Sequence, residues 1–82
     1  MTVASAWIQD NWIFSDLPDQ SAKYWISEMW IWGPVGSAEV DTKHWIQNGW
    51  IWGPAGSPSV RTGYWIQDGW IWGPEKRLPF AR

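Results

Sequence analysis

The chain has 82 residues, a formal net charge of −2 and no cysteine, so it is long enough for one small domain without disulfide bonds. A net charge this close to zero argues against a nucleic acid or an anionic membrane surface as the partner. No apolar run reaches the roughly 18 residues that span a bilayer, and no secretion signal is visible at the N-terminus. We therefore expect one soluble domain that starts at its own methionine and does not insert into a membrane. Its location stays unknown, with a virion or a cell surface as the candidates.

Tryptophan dominates the sequence and recurs at a fixed interval. Eleven residues are Trp, and most lie in the string YWIQDGWIWGP at 64–74, which has close copies at 24–34 and 44–54. A degenerate copy, AWIQDNWIF, occupies 6–14. A period of about 20 residues is typical of repeat proteins, whose units bury their apolar faces against one another. The predicted repeats, all within a single domain 1–82, are about 6–23, 24–43, 44–63 and 64–82.

Each repeat predicts a β-hairpin. Two short β-rich runs flank Asn-Gly at 48–49 and Asp-Gly at 68–69, the dipeptides that favour a two-residue type I′ turn. The first copy has Asp-Asn at 10–11, which is tolerable in such a turn. The second copy has Glu-Met at 28–29, a poor type I′ pair. We expect that hairpin either to use another turn or to depend on its neighbours.

A two-residue turn fixes which side chains share a face. In the third copy Trp45, Gln47, Trp50 and Trp52 project from one face, and the isoleucines project from the other. The Trp face combines flat aromatic rings with one small polar group, as sugar-binding sites do. The candidate ligand-binding residues are Trp25, Trp30, Trp32, Trp45, Gln47, Trp50, Trp52, Trp65, Gln67, Trp70 and Trp72.

Small, polar, turn-rich connectors join the hairpins, with Val40 and Val60 as apolar anchors at equivalent repeat positions. In the last repeat Phe80 falls at the same repeat position, so Leu78 and Phe80 are expected to cap the repeats.

The predicted architecture is all-β, with tandem hairpins either stacked as a short solenoid or closed around an axis. Both faces of each hairpin are apolar, and so small a chain cannot cover both with its own atoms. We therefore expect a homo-oligomer, a larger assembly or a ligand to cover part of the Trp face. The alternative for any one Trp is that it belongs to the core and binds nothing.

The repeat resembles the choline-binding and glucan-binding cell-wall repeats. The resemblance rests on the 20-residue unit and on Gly-x-x-x-Val-x-Thr-Gly-Tyr-Trp at 56–65. It implies hairpins stacked in a solenoid, with aromatic cages for choline or wall glycan. Trp45, Trp52 and Trp65 would be cage residues, with Trp25 and Trp32 as equivalents. The hairpin turn is shorter here, and Trp-Ile-Trp replaces the family's Trp-Tyr-Tyr.

No catalytic or metal-binding pattern stands out in the sequence. His44 takes the place of Tyr24 and Tyr64, which favours a packing role, and the carboxylates of Asp10 and Asp68 lie in turns. We predict a non-catalytic binding module without cofactor or metal that recognises surface glycan or choline-like groups through repeated Trp/Gln sites. The alternative is a structural subunit docked by its Trp faces into a larger assembly such as a phage tail or virion.

Overall fold

The computed structural model describes residues 2–81, whose regular structure consists of β-strands alone. Among these residues no helix is long and apolar enough to cross a membrane. The all-β prediction is confirmed. The strands are β1 (Val3–Gln9), β2 (Trp12–Phe14), β3 (Tyr24–Ser27), β4 (Trp30–Trp32), β5 (Asp41–Gln47), β6 (Trp50–Trp52), β7 (Arg61–Gln67) and β8 (Trp70–Gly73).

The strands form one closed antiparallel barrel. Each strand pairs with the next along the chain, and β8 pairs back onto β1 through Ile71 opposite Ala6 and Trp70 opposite Trp7. The stacked solenoid, which the resemblance to cell-wall repeats also implied, is therefore wrong, and the hairpins close around an axis. A solenoid would leave an unpaired edge on its first and last hairpins, whereas closure removes both edges.

All four hairpins have the register predicted for the third and fourth. In the third, Gln47 lies opposite Trp50 and Trp45 opposite Trp52, and the other hairpins repeat this pairing. The second hairpin also makes the two-residue turn, with φ of 51° at Glu28 and 70° at Met29. Both angles lie in the left-handed region that a type I′ turn requires.

Each turn is bonded to the hairpin beside it. The Met29 carbonyl accepts a hydrogen bond from the Ile46 N–H at 2.8 Å, and three further bonds of this kind complete the circuit. The donors and acceptors of those three are Ile8 to Gly69, Ile26 to Asn11 and Ile66 to Gly49. The Glu-Met turn is thus bonded to its neighbour in the same way as the other three turns, and its dependence on that neighbour stays a prediction.

The isoleucine face points into the barrel and forms the core. The second Ile of each repeat is fully buried, and the first Ile of each is partly buried. A further set, which includes Tyr24, His44 and Tyr64, fills the interior toward the end where the linkers lie. The fully buried isoleucines are Ile13, Ile31, Ile51 and Ile71. Because these side chains fill the interior, the Trp side chains lie outside.

The glycine of each Gly-Pro pair provides room for one interior ring. A Cβ atom added to Gly73 would lie 2.1 Å from the Tyr64 ring, and one added to Gly53 would lie 2.8 Å from the His44 ring. Both distances are far below any real carbon contact. A glycine is therefore needed where each hairpin ends, because the ring of its own first strand packs directly over it.

Two strands are longer than the sequence suggested. Residues 41–43 and 61–63, placed in connectors by their polar composition, begin β5 and β7. Each extension contains a register shift and a residue with positive φ, Lys43 or Gly63. The Thr42 hydroxyl also donates to the Ile31 carbonyl across the strands. This β-bulge lets the strand continue while its face changes.

The C-terminal segment closes the linker end of the barrel from the inside. Leu78 and Phe80 are buried, and the Phe80 ring makes edge-to-face contacts with Tyr24 at 5.0 Å and His44 at 5.7 Å between ring centroids. Leu78 and Phe80 therefore cap the repeats, as the sequence predicted, although what they cap is a barrel.

A buried amide holds the segment in place. Gln20, which is fully buried, donates to the Ser15 hydroxyl at 2.7 Å and to the Lys76 carbonyl at 2.8 Å. Its Oε1 accepts from the Leu78 N–H at 3.0 Å. Nothing in the repeat pattern pointed to Gln20, because the first linker has a sequence of its own.

Candidate functional site

The outer wall of the barrel carries the candidate site. The first Trp of each second strand is the most exposed, with 37 % of Trp12, 36 % of Trp30, 37 % of Trp50 and 43 % of Trp70 accessible. All other Trp residues are partly exposed. Each Trp thus offers ring surface to a ligand while its other side packs on neighbours.

The exposed Trp residues pair across the boundaries between hairpins. Trp30 of β4 meets Trp45 of β5 with ring centroids 5.5 Å apart and planes inclined by 51°. The other three boundaries repeat this geometry at 5.5 to 5.6 Å and 47° to 52°, with the pairs Trp12 and Trp25, Trp50 and Trp65, and Trp70 and Trp7. Tilted contacts at this distance are favourable for aromatic rings.

Each pair belongs to a longer line of side chains that we call a Trp row. A row crosses four neighbouring strands and contains one polar residue followed by three aromatic residues, each opposite the next. The rows, named by the strand boundary at their centre, are Gln9, Trp12, Trp25 and Trp32 (β2/β3); Ser27, Trp30, Trp45 and Trp52 (β4/β5); Gln47, Trp50, Trp65 and Trp72 (β6/β7); and Gln67, Trp70, Trp7 and Phe14 (β8/β1).

Hydrogen bonds from three of the indoles orient their rings, whereas the buried Trp72 Nε1–H has no hydrogen-bond partner in the part of the chain that the structure describes. The Trp45 Nε1–H donates to the Gln47 side-chain oxygen at 3.3 Å, and the Trp52 Nε1–H donates to the Gln47 backbone carbonyl at 3.1 Å. The Trp32 Nε1–H makes the equivalent contact with the Ser27 carbonyl at 3.5 Å. The Gln47 and Gln67 side chains are themselves exposed beside the rings, so their amides can meet a ligand.

All eleven sequence candidates lie on this outer wall, but the structure groups them differently. The sequence grouped Trp45, Gln47, Trp50 and Trp52 because they belong to one hairpin. In the barrel Trp45 and Trp52 belong to the β4/β5 row, whereas Gln47 and Trp50 belong to the β6/β7 row. Trp65, the third cage residue implied by the resemblance, lies opposite Trp50 and Trp72.

The candidate residues left out Arg61 and five members of the rows, which are Trp7, Gln9, Trp12, Phe14 and Ser27. Trp7 and Trp12 belong to rows, and aligning AWIQDNW with the later copies would have found them. Arg61 was read as part of a connector, yet its guanidinium carbon lies 6.0 Å from the centre of the Trp50 ring. No repeat signal could have found it, because the other repeats have a different residue at this position.

The two ionisable side chains with shifted pKa values, those of His44 and Tyr64, are buried in the packed interior. His44 is buried, its Nδ1 lies 2.8 Å from the Thr42 carbonyl, and burial lowers its pKa below the ordinary value. Burial, with the nearby Glu75 charge, raises the pKa of Tyr64, whose hydroxyl donates to the Arg77 carbonyl. Within residues 2–81 no three or more His, Cys, Asp or Glu side chains are grouped to hold a metal ion. The chemistry available on the outer wall is stacking and hydrogen bonding.

Comparison with protein-family models, with curated proteins and with solved structures finds no match for this chain. The relation to choline-binding and glucan-binding repeats therefore stays a prediction. Evidence on function comes from the geometry of the Trp rows.

Proposed function

We propose that this protein is a non-catalytic module that binds surface glycans through its four Trp rows. One observation carries the proposal: the Ile, Tyr and Phe side chains fill the barrel interior without the Trp residues. The outer aromatic surface is thus available for recognition.

The composition of each row favours a sugar as the ligand. A pyranose ring presents C–H groups on its faces and hydroxyls at its edge, so it can stack on an indole while a neighbouring amide bonds its hydroxyls. Three rows provide this combination through Gln9, Gln47 and Gln67, and the β4/β5 row provides Ser27. Apolar contact with a few placed polar groups is typical of small-ligand sites.

The ring spacing favours a stacked sugar over a caged choline. A cage needs ring faces on several sides of the cation, each within about 6 Å of it. Rings whose centroids lie 5.5 Å apart touch each other and leave no space for a trimethylammonium group between them. A ligand has to lie on the outward surfaces, where a flat sugar ring fits better.

Four rows around one barrel favour a repeated ligand. The rows follow one another around a body of 34 × 30 × 21 Å, so different rows face different directions. A glycan-coated surface, or several chains of a polymer, can occupy more than one row. Such multivalent contact raises the overall affinity when each single site is weak.

Single substitutions in the rows provide the test. Trp50→Ala should weaken oligosaccharide binding, measured by calorimetry or indole fluorescence, by about 1–3 kcal/mol at its own row, which is typical of losing one buried aromatic contact. Because Trp50 also packs on Trp65, the variant should unfold at a lower midpoint, and binding is measured well below that midpoint. Val35→Ala is the matched control, since Val35 is exposed and lies outside the rows. Equal binding by both variants, or binding of no glycan from a broad panel, would contradict the proposal.

Docking into a larger assembly is the second candidate. The rows form a continuous aromatic belt, and no cavity opens among residues 2–81 to receive a small ligand. Large exposed apolar areas often mark protein interfaces. Sedimentation velocity separates the two functions: a monomer that binds glycan supports recognition, whereas an oligomer whose indole emission ignores every glycan supports docking.

A further inference from the structure

The strand boundaries differ at one position beside their aromatic pair, which lies opposite the Trp that ends the preceding row. Opposite Trp52 lies Arg61 in β7, opposite Trp32 lies Asp41 in β5, and opposite Trp72 lies Ala4 in β1. The β2/β3 boundary has no strand residue here, because β3 begins at Tyr24. Beside equivalent Trp pairs, the β6/β7 boundary therefore carries the cation of Arg61, the β4/β5 boundary carries the anion of Asp41, and the β8/β1 boundary carries the methyl group of Ala4.

Arg61 is placed at the edge of the Trp50 and Trp65 pair. It is exposed, and its guanidinium lies 6.0 Å from the centre of the Trp50 ring, at the outer limit for a cation–π contact. The ordinary interpretation is that Arg61 covers Trp50 and stabilises the surface. Trp50 is nevertheless 37 % exposed, within the range of 36 % to 43 % of Trp12, Trp30 and Trp70, which have no arginine contact among residues 2–81. The guanidinium thus leaves the indole as accessible as its equivalents.

The charge of Arg61 is available to a ligand. Among residues 2–81 the salt bridges join Lys76 to Asp16 and Arg77 to Asp19, and Arg61 takes part in neither. The chain as a whole has a net charge of −2, so it has no general attraction for anions. A preference for an anionic ligand would have to arise locally.

We propose that Arg61 makes the β6/β7 row selective for acidic sugars, such as a hexuronic acid, while the other rows accept neutral ones. The sugar ring stacks on Trp50 and Trp65, and its carboxylate accepts hydrogen bonds from the guanidinium, whose planar fork matches a carboxylate. Asp41 repels the same carboxylate from the β4/β5 row. This inference rests on the proposed glycan-binding function.

The test compares glucuronate with glucose, which share a ring and differ in the carboxylate. Titrations are followed by the indole N–H signals in two-dimensional NMR, assigned by single Trp→Phe variants. The Trp50 and Trp65 signals should respond to glucuronate at concentrations about threefold lower than to glucose, as expected for an exposed charge pair. The Trp30 and Trp45 signals should show the reverse order, and salt near 0.5 M should remove both preferences.

Three variants locate the effect. Arg61→Gln should abolish the glucuronate preference, so that the Trp50 and Trp65 signals respond to both sugars at the same concentration, whereas the control Lys23→Gln removes the same charge elsewhere and should keep the preference. The double exchange R61D/D41R should move the preference for glucuronate over glucose to the indole signals of Trp30 and Trp45. A preference that survives Arg61→Gln, or equal response to both sugars at Trp50, overturns the inference. If neither sugar moves any indole signal in any variant, the proposed glycan-binding function fails instead.

Discussion

His44 shows how one residue can depart from the repeat and still keep its structural role. It stands where the second and fourth repeats have tyrosine, packs edge-to-face on Phe80, and lies over Gly53 as Tyr64 lies over Gly73. The sequence identified it as a packing substitute, and its burial agrees with that. What the sequence could not supply is the partner, because Phe80 reaches it only after the barrel has closed.

The buried imidazole should make stability depend on pH. Burial lowers the pKa of His44 below 6.5 in the folded protein, so the unfolded chain binds a proton more readily. Protonation of His44 therefore has no effect on the free energy of unfolding above about pH 7. As the pH falls below 6.5, protonation of this residue in the unfolded chain lowers the free energy of unfolding. Denaturant unfolding from pH 8 to 5 measures this loss.

His44→Tyr is the matched control for that series, since tyrosine occupies the equivalent position in two other repeats and does not titrate in this range. The difference between the two stability curves isolates the histidine from the carboxylates. Parallel curves for the wild type and the variant between pH 7 and 5 would mean that the imidazole is not desolvated as described.

At the scale of the element, the hairpin is the unit that local sequence determines. Turn dipeptides and a side-chain period of two predicted the registers of the third and fourth hairpins, and the structure shows the same register in the first two. The Glu28-Met29 turn differs from the other turns in composition but has the same shape. Its Met29 carbonyl accepts a hydrogen bond from the Ile46 N–H of the next hairpin, as the other turns do with their neighbours. The strand extensions at 41–43 and 61–63 were missed because polar residues in a bulged strand have the composition of a loop.

The unfavourable turn predicts a stabilising substitution. Met29 has a φ of 70° and a side chain that is 53 % exposed, so Met29→Gly removes backbone strain and loses little packing. We expect the free energy of unfolding to rise by about 1 kcal/mol. Gly49→Ala in the third hairpin should lower the free energy of unfolding by a similar amount, because alanine is strained at the φ of 79°. No steric clash adds to this cost, since the nearest atom to an added Cβ is 3.7 Å away. Urea unfolding of both variants measures the pair. A loss of stability in Met29→Gly would show that the Met side chain contributes contacts that the turn needs.

At the scale of the whole molecule, closure and the C-terminal cap depend on each other. The barrel interior is open at the linker end until Leu78 and Phe80 enter it, and Gln20 and Ser15 of the first linker hold the entering segment. Closure also weakens one sequence argument for an oligomer. The Ile face needs no partner chain, since the barrel covers it, and only the Trp face stays open.

The cap should determine stability and leave recognition unchanged. Phe80→Ala removes a buried ring that contacts Tyr24 and His44 and should cost about 3–5 kcal/mol, a large part of the stability of so small a domain. Phe80→Leu should cost clearly less. Calorimetric melting gives both losses, and glycan affinity measured well below the melting temperature should match the wild type. A change in affinity would mean that the Trp rows depend on the cap.

The sequence by itself determined the hairpins, two of their turns and the division of each hairpin into an Ile face and a Trp face, because a two-residue turn and the period of two are local properties. Only the tertiary structure decided which face points inward. Eight short strands enclose a narrow interior that isoleucines and a few rings fill, so the larger indoles are left outside. The tertiary structure also assembled the Trp rows. They cross from one hairpin to the next, and their alignment is set by the hydrogen bonds between each turn and its neighbour. For the same reason the sequence found most of the site's residues but not their grouping or Arg61.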